Sequence, residues 1–224
     1  SGASTDGPLV GTGTGENNRV YLTFTPSAGT LTCTVSGTVT NAQLEVGSVQ
    51  SSYIPTSTVT VTRPAETLTA AAADLPWDAS NVSIQMDGTI DYADEGTAAQ
   101  QTFLRWYAGA ADYITIDLDT DSTATGEVNF NQEDTSGGAG SVASSATALA
   151  ASVNTAFNIA GRFTAAEVNG AVGGTVLTAD TTPTILPDLS STDMTIGHDF
   201  NGNIGKLRIF AADLGDDGIE EAST

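Results

Sequence analysis

The chain has 224 residues, 39% of them hydrophobic, and a net charge of −21 from 27 acidic and 6 basic side chains. So few Lys and Arg exclude direct nucleic-acid binding, which rests on neutralising phosphates, and disfavour an anionic membrane surface. No apolar run approaches the roughly 20 residues that span a bilayer, and abundant Thr, Val, Ser and Gly predict an all-β protein of short strands and turns.

Residues 1–18 are rich in Gly, Ser and Thr and form a flexible N-terminal segment. Gly11, Gly13 and Gly15 do not make a phosphate loop, since no buried strand precedes them and no helix pattern follows. The segment opens on Ser1 without the charged and apolar regions of a signal peptide, which points to a processed product or a piece of a longer polypeptide.

From Arg19 the pattern tightens. Val20, Leu22 and Phe24 alternate with polar neighbours, Leu31, Cys33 and Val35 do the same, and a third run surrounds Leu44 and Val46. Residues 19–55 therefore form a partial β-sandwich whose apolar face needs a covering layer. Cys33 is the only cysteine, so an intrachain disulfide is excluded.

Three phrases follow closely: Ala42-Gln43-Leu44-Glu45-Val46-Gly47, Ser52-Tyr53-Ile54-Pro55-Thr56 and Val61-Thr62-Arg63-Pro64-Ala65. Together they resemble a junction in tailed-bacteriophage virion proteins, where a carbohydrate-binding-module-like sandwich ends and a laminin-G-like domain begins. The family's preceding strands are missing, so the resemblance implies a first domain that is truncated or completed by another chain. Residues 56–75 form an extended linker, with Pro64 suited to a crossing segment or an edge strand and Ala70 to Asp74 as a hinge.

Residues 76–224 show strand alternation at Val82, Ile84 and Met86, Thr89 to Tyr92, Thr102 to Tyr107, Ile114, Ile116 and Leu118, Val128 and Phe130, Phe157 to Phe163, and Val168 to Val172. Asn169-Gly170 and Gly173-Gly174 are hairpin signals. Gly137 to Ala151 is Gly/Ser/Ala-rich, with a small helix expected near Ala146 to Val153. The closing stretch predicts a strand through Met194 and Ile196, a turn at Asp199 to Gly202, a strand from Ile204 to Ala211, and an acidic tail with one helical turn. In that last strand Leu207, Ile209 and Ala211 share one face, and Lys206, Arg208 and Phe210 the other.

Such strands suit a two-sheet jelly-roll sandwich. Ile196-Gly197, Phe200-Asn201-Gly202-Asn203-Ile204, Leu207 to Phe210, Leu214 and Ile219 resemble the closing segment of concanavalin A-like, laminin-G-like jelly-roll domains. Ala160 to Phe163 and Val168-Asn169-Gly170 extend that resemblance upstream. It implies a fold shared by lectins, glycosidases and structural modules, so function must come from the site.

Asp117-x-Asp119-x-Asp121 is the candidate metal site, because alternate carboxylates can converge on calcium. Ser122 replaces the glycine an EF-hand loop requires and Val128 stands where its bidentate Glu belongs. A solvated strand face and exit explains the same three residues and is preferred. No other cofactor is expected.

Catalysis finds little support. The fold's laminarinase-like members carry an E-x-D-x-x-E strand that this chain lacks, and Asp91, Asp94 and Glu95 form an acidic turn without visible means of raising a pKa. His198 is the only histidine, which leaves a Ser/His/Asp triad unassembled and zinc short of ligands. The chain is therefore read as no enzyme.

Sugar binding asks for less: an exposed aromatic plane with polar groups beside it. Arg105, Trp106 and Tyr107 supply those types, and strand geometry turns Trp106 and Tyr107 to opposite faces, one core and one surface. Trp77 could equally plug the domain junction. The expectation is a structural and adhesive protein on the surface of a phage particle, a fibre, tail or head-decoration component that touches host surface glycans. Its partners would be other virion proteins and copies of itself, first as a trimer. The rival is a secreted carbohydrate-binding module or glycanase of the same fold.

Overall fold

The computed structural model describes residues 67–94 and 100–224 and, nearer the N-terminus, residues 21, 24, 38, 40–46, 51 and 53–61. The chain divides into two compact units, Ser1–Arg63 and Pro64–Thr224.

In the first unit, the strands expected around Val20 and Leu22 and around Leu31, Cys33 and Val35 lie outside the described residues. The third expected run is not a strand: residues 41–46 have no ladder, and Leu44 and Val46 are exposed. Two polar side chains order this stretch instead. Gln43 Oε1 accepts from the Ile54 amide at 2.7 Å, and Glu45 Oε1 accepts from the Ser51 amide at 2.7 Å. The phrase that looked like a strand is a loop clamped by its own Gln and Glu.

The second unit has eleven strands among its described residues: β1 (Leu68–Ala70), β2 (Asn81–Tyr92), β3 (Gln100–Gly109), β4 (Asp112–Asp119), β5 (Val128–Asp134), β6 (Gly138–Ala143), β7 (Ser152–Thr164), β8 (Val168–Val172), β9 (Thr175–Val176), β10 (Met194–Ile196) and β11 (Gly202–Phe210). One helix, α1 (Gly215–Ala222), follows them. The strands form two antiparallel sheets, ordered β1-β10-β3-β4-β5-β6 and β11-β2-β7-β8-β9, and the protein is an all-β jelly-roll sandwich.

Alternation explains the core. Val82, Ile84 and Met86 of β2, Ile114, Ile116 and Leu118 of β4, and Ile159 and Phe163 of β7 point between the sheets and are fully buried. Each such side chain contributes roughly 1.5–3 kcal/mol by leaving water. Phe130 lies across the sandwich on two glycines: a Cβ at Gly170 would meet its ring at 2.3 Å, and one at Gly161 at 2.8 Å. Burial pushes the Tyr92 phenol up to about 12 while its hydroxyl donates to the Leu149 carbonyl.

Several expectations change. Residues 68–75 belong to the sandwich rather than to a linker, because β1 pairs with β10, the Ala72 amide donates to Asp193 at 2.8 Å, and Leu75 packs on the core. Residues 138–143 form β6, and where a helix near 146–153 is expected the chain makes turns and bends up to residue 151 and then enters β7. Asn169-Gly170 is not a hairpin turn but buried strand, its glycine needed by Phe130; the β8–β9 turn is Gly173-Gly174, both at positive φ.

The closing stretch is divided between the sheets, each strand pairing with partners upstream in the chain: β10 sits between β1 and β3 in the six-stranded sheet, and β11 edges the five-stranded one beside β2. The turn between them carries the chain across the sandwich, with Gly197 (φ 70°) and Asp199 (φ 52°) at the corner. Phe200 plugs it, 5.8 Å from the Phe103 ring and 6.1 Å from that of Phe157. Leu207 and Ile209 pack on the core as expected, and a bulge between Ile204 and Lys206 lets Ile204 pack there too. Ala211 lies beyond the strand and is exposed.

Candidate glycan-binding face

The outward face of the six-stranded sheet gathers side chains far apart in sequence. β3 contributes Arg105 and Tyr107, β4 contributes Tyr113, Thr115 and Asp117, and β5 contributes Asn131 and Glu133. The register sets Arg105 opposite Thr115, Tyr107 opposite Tyr113, Thr115 opposite Asn131 and Tyr113 opposite Glu133. These are cross-strand neighbours on one surface.

Two bulges in β3 decide this arrangement. One, between Thr102 and Leu104, turns both Phe103 and Leu104 into the core. The other, between Tyr107 and Gly109, brings Tyr113 rather than Ile114 beside Tyr107. The two rings lie nearly parallel, at 20° with centroids 5.9 Å apart, and the Arg105 guanidinium carbon sits 3.9 Å from the Tyr107 centroid. All three residues are half-buried.

A polar network borders the rings. Thr102 and Thr115 each donate a hydroxyl to Asp117 at 2.7 Å, Asn131 Nδ2 donates to Thr115 at 3.3 Å, and Ser141 donates to Asn131 Oδ1 at 2.6 Å. Burial, a hydrogen bond to Glu133 and the nearby Glu133 and Asp117 charges push the Tyr113 phenol up to about 12. The phenol stays protonated throughout the neutral range.

Of the three residues expected at a glycan, Arg105 and Tyr107 lie on this face and Trp106 does not. Trp106 is fully buried, edge-on to Trp77 at 5.1 Å, with its Nε1 donating to the Thr192 carbonyl at 2.8 Å. It serves the core. Tyr113, Thr115, Asn131 and Glu133 escaped the sequence reading, because only the register brings them beside Tyr107.

The three candidate calcium ligands are each engaged locally. Asp117 is buried under its two threonine donors, Asp119 Oδ1 accepts from the Asp121 amide at 2.8 Å, and Asp121 Oδ1 accepts from the Thr123 amide at 3.2 Å. Each carboxylate thus serves a local turn or strand contact. Among the described residues no group of three or more His, Cys, Asp and Glu side chains is placed to hold a metal ion.

The other outward face is closed. Ser83 Oγ donates to the Ala212 carbonyl at 2.9 Å, Ile219 of α1 is buried against Ala160 and Ala171, and Asn158 Nδ2 donates to the Thr224 carbonyl at 2.7 Å. Arg162 of β7 clamps Asp213 at 2.7 Å, Asp216 at 2.8 Å and Glu167 at 2.5 Å. Its guanidinium holds the Asp213 carboxyl below the usual carboxylate range, and Asp213 in turn raises Arg162.

Among solved structures the chain is similar to the Ruminococcus gnavus IT-sialidase CBM40 bound to α2,3 sialyllactose (15% identity, 65% of this chain and 83% of that one, TM-score 0.48). It is similar also to the leech intramolecular trans-sialidase complexed with 2,7-anhydro-Neu5Ac (13% identity, 64% of this chain, TM-score 0.49), of whose length it spans 23%. A third likeness is to the binding domain of botulinum neurotoxin DC in complex with SialylT (15% identity, 63% of this chain and 34% of that one, TM-score 0.48). Those ligands are properties of those proteins. No family model matches the chain, and no curated protein matches it.

Proposed function

We propose that this chain is a non-catalytic, lectin-like display module of a tailed-phage particle, and that the outer face of its six-stranded sheet binds glycans on the host surface. The observation that carries the binding reading is the half-exposed Tyr107–Tyr113 pair with Arg105, bordered by Thr115, Asn131 and Glu133, on the face that no described element of the sandwich covers. Aromatic planes cover the C–H face of a pyranose, while amide, hydroxyl and carboxylate groups pair its hydroxyls. The particle assignment draws on the virion-like phrases at residues 42–65 and on the acidic, lysine-poor composition. It brings with it other virion proteins and further copies of the chain, first as a trimer, as partners.

The second reading, a secreted carbohydrate-binding module, uses the same face and differs only in where the chain resides. Two measurements test the pair. Tyr107→Ala with Tyr113→Ala weakens glycan binding at least tenfold while the circular dichroism spectrum stays that of the wild type; equal binding by both proteins refutes the site. Mass spectrometry of purified phage particles finds the chain if it is a virion component. Its recovery only from culture medium favours the secreted module.

A further inference from the structure

We infer that this face selects uncharged glycans and rejects carboxylated ones. The inference rests on the glycan-binding reading of the Tyr107–Tyr113 face and adds the ligand's charge.

The distribution of cations carries it. The chain has six basic residues, of which Arg19 and Arg63 lie outside the described residues. Arg162 is clamped by Asp213, Asp216 and Glu167 on the five-stranded sheet, and Lys206 and Arg208 lie on β11 at that sheet's edge. Arg105 is therefore the one described cation on the binding face, and it lies over the Tyr107 ring.

Two carboxylates share the face with it. Glu133 stands opposite Tyr113, and Asp117 lies four residues further along β4. A ligand carboxylate would meet two like charges for one opposite charge, in the field of a chain with net charge −21. A neutral sugar meets none of this penalty, and its hydroxyls are donors that carboxylates accept. Glu133, across from Tyr113, offers carboxylate acceptor positions to such hydroxyls.

The test is a printed glycan array carrying matched neutral, sialylated, uronate-containing and amino-sugar chains, lactose beside 3′-sialyllactose among them. It is probed with the full chain, with Tyr107→Ala and with Glu133→Gln at low and physiological salt. The expected result is neutral glycans bound at least tenfold more tightly than their carboxylated counterparts, with the gap narrowing in salt and in Glu133→Gln. Carboxylated glycans bound equally or better, with that binding lost in Tyr107→Ala, would overturn the charge selection and leave the face as the site. Amino sugars bound tenfold more tightly than neutral ones would overturn it too, in favour of a cation-selective face. Binding indifferent to Tyr107→Ala would remove the glycan-binding reading itself.

Discussion

On the five-stranded sheet the outward residues Ser83, Gln85, Arg162 and Asn169 are buried, whereas on the six-stranded sheet Arg105, Tyr107, Tyr113 and Asn131 stay half-exposed. Both faces are polar in sequence, and both alternate with core residues. The difference is made largely by the last thirteen residues, which fold back over β2, β7 and β8 and satisfy Ser83, Asn169 and Arg162, while Gln85 is bonded by Asn158 and Arg208. An outward polar residue is thus no guide to solvent by itself. Here the covered face holds the fold together, and the uncovered one keeps its aromatic and polar side chains half-exposed.

That division can be broken most forcefully at Arg162. Arg162→Met leaves Asp213, Asp216 and Glu167 without their shared cation, and the expected cost is about 3 kcal/mol in urea unfolding, as for removing one partner of a buried pair. Faster amide exchange across residues 212–224 should accompany it. Because Arg162 lowers the folded-state pKa of Asp213, that contribution is present above the ordinary carboxylate range, near pH 4, and is lost as pH falls through the lowered value. The stability gap between wild type and variant should therefore shrink below about pH 4.

A smaller break comes at Ile219→Ala, which empties the contact between α1 and the Ala160 and Ala171 surface and should cost about 2–3 kcal/mol. Glycan binding is expected to survive it under native conditions, since the opposite sheet is untouched. Weakened binding without unfolding would show that the two faces are coupled.

The smallest stability effects sharpen the comparison on β3 itself. Trp106→Phe loses the hydrogen bond to Thr192 and part of a fully buried ring and should cost about 2 kcal/mol with binding unchanged. Tyr107→Ala should change stability by about 1 kcal/mol or less and yet abolish most of the binding. Neighbouring residues of one strand would then separate core from site in a single pair of calorimetric and binding measurements.

Much of the sandwich was legible from alternation alone, because a strand buried on one face must write its core residues at every second position. Val82 to Met86, Ile114 to Leu118 and Phe157 to Phe163 needed nothing more. β6 was not legible, since Gly138 to Ala143 has few large side chains and its core position depends on the neighbouring β5. The stretch 41–46 misled for the opposite reason: Leu44 and Val46 have strand-like spacing, but the Gln43 and Glu45 side chains accept from the Ile54 and Ser51 amides and the stretch joins no ladder.

The closing stretch shows where the line falls. Its sequence determined that Met194, Ile196, Leu207 and Ile209 are core residues and that a turn separates them, because those properties depend on side-chain polarity and local backbone freedom. Only the tertiary structure decided that the turn crosses from one sheet to the other, that α1 seals the five-stranded sheet, and that Tyr113 rather than Ile114 stands beside Tyr107. Pairing partners, register and coverage are relations between distant segments, and a single bulged residue resets them without leaving a mark in the alternation on either side.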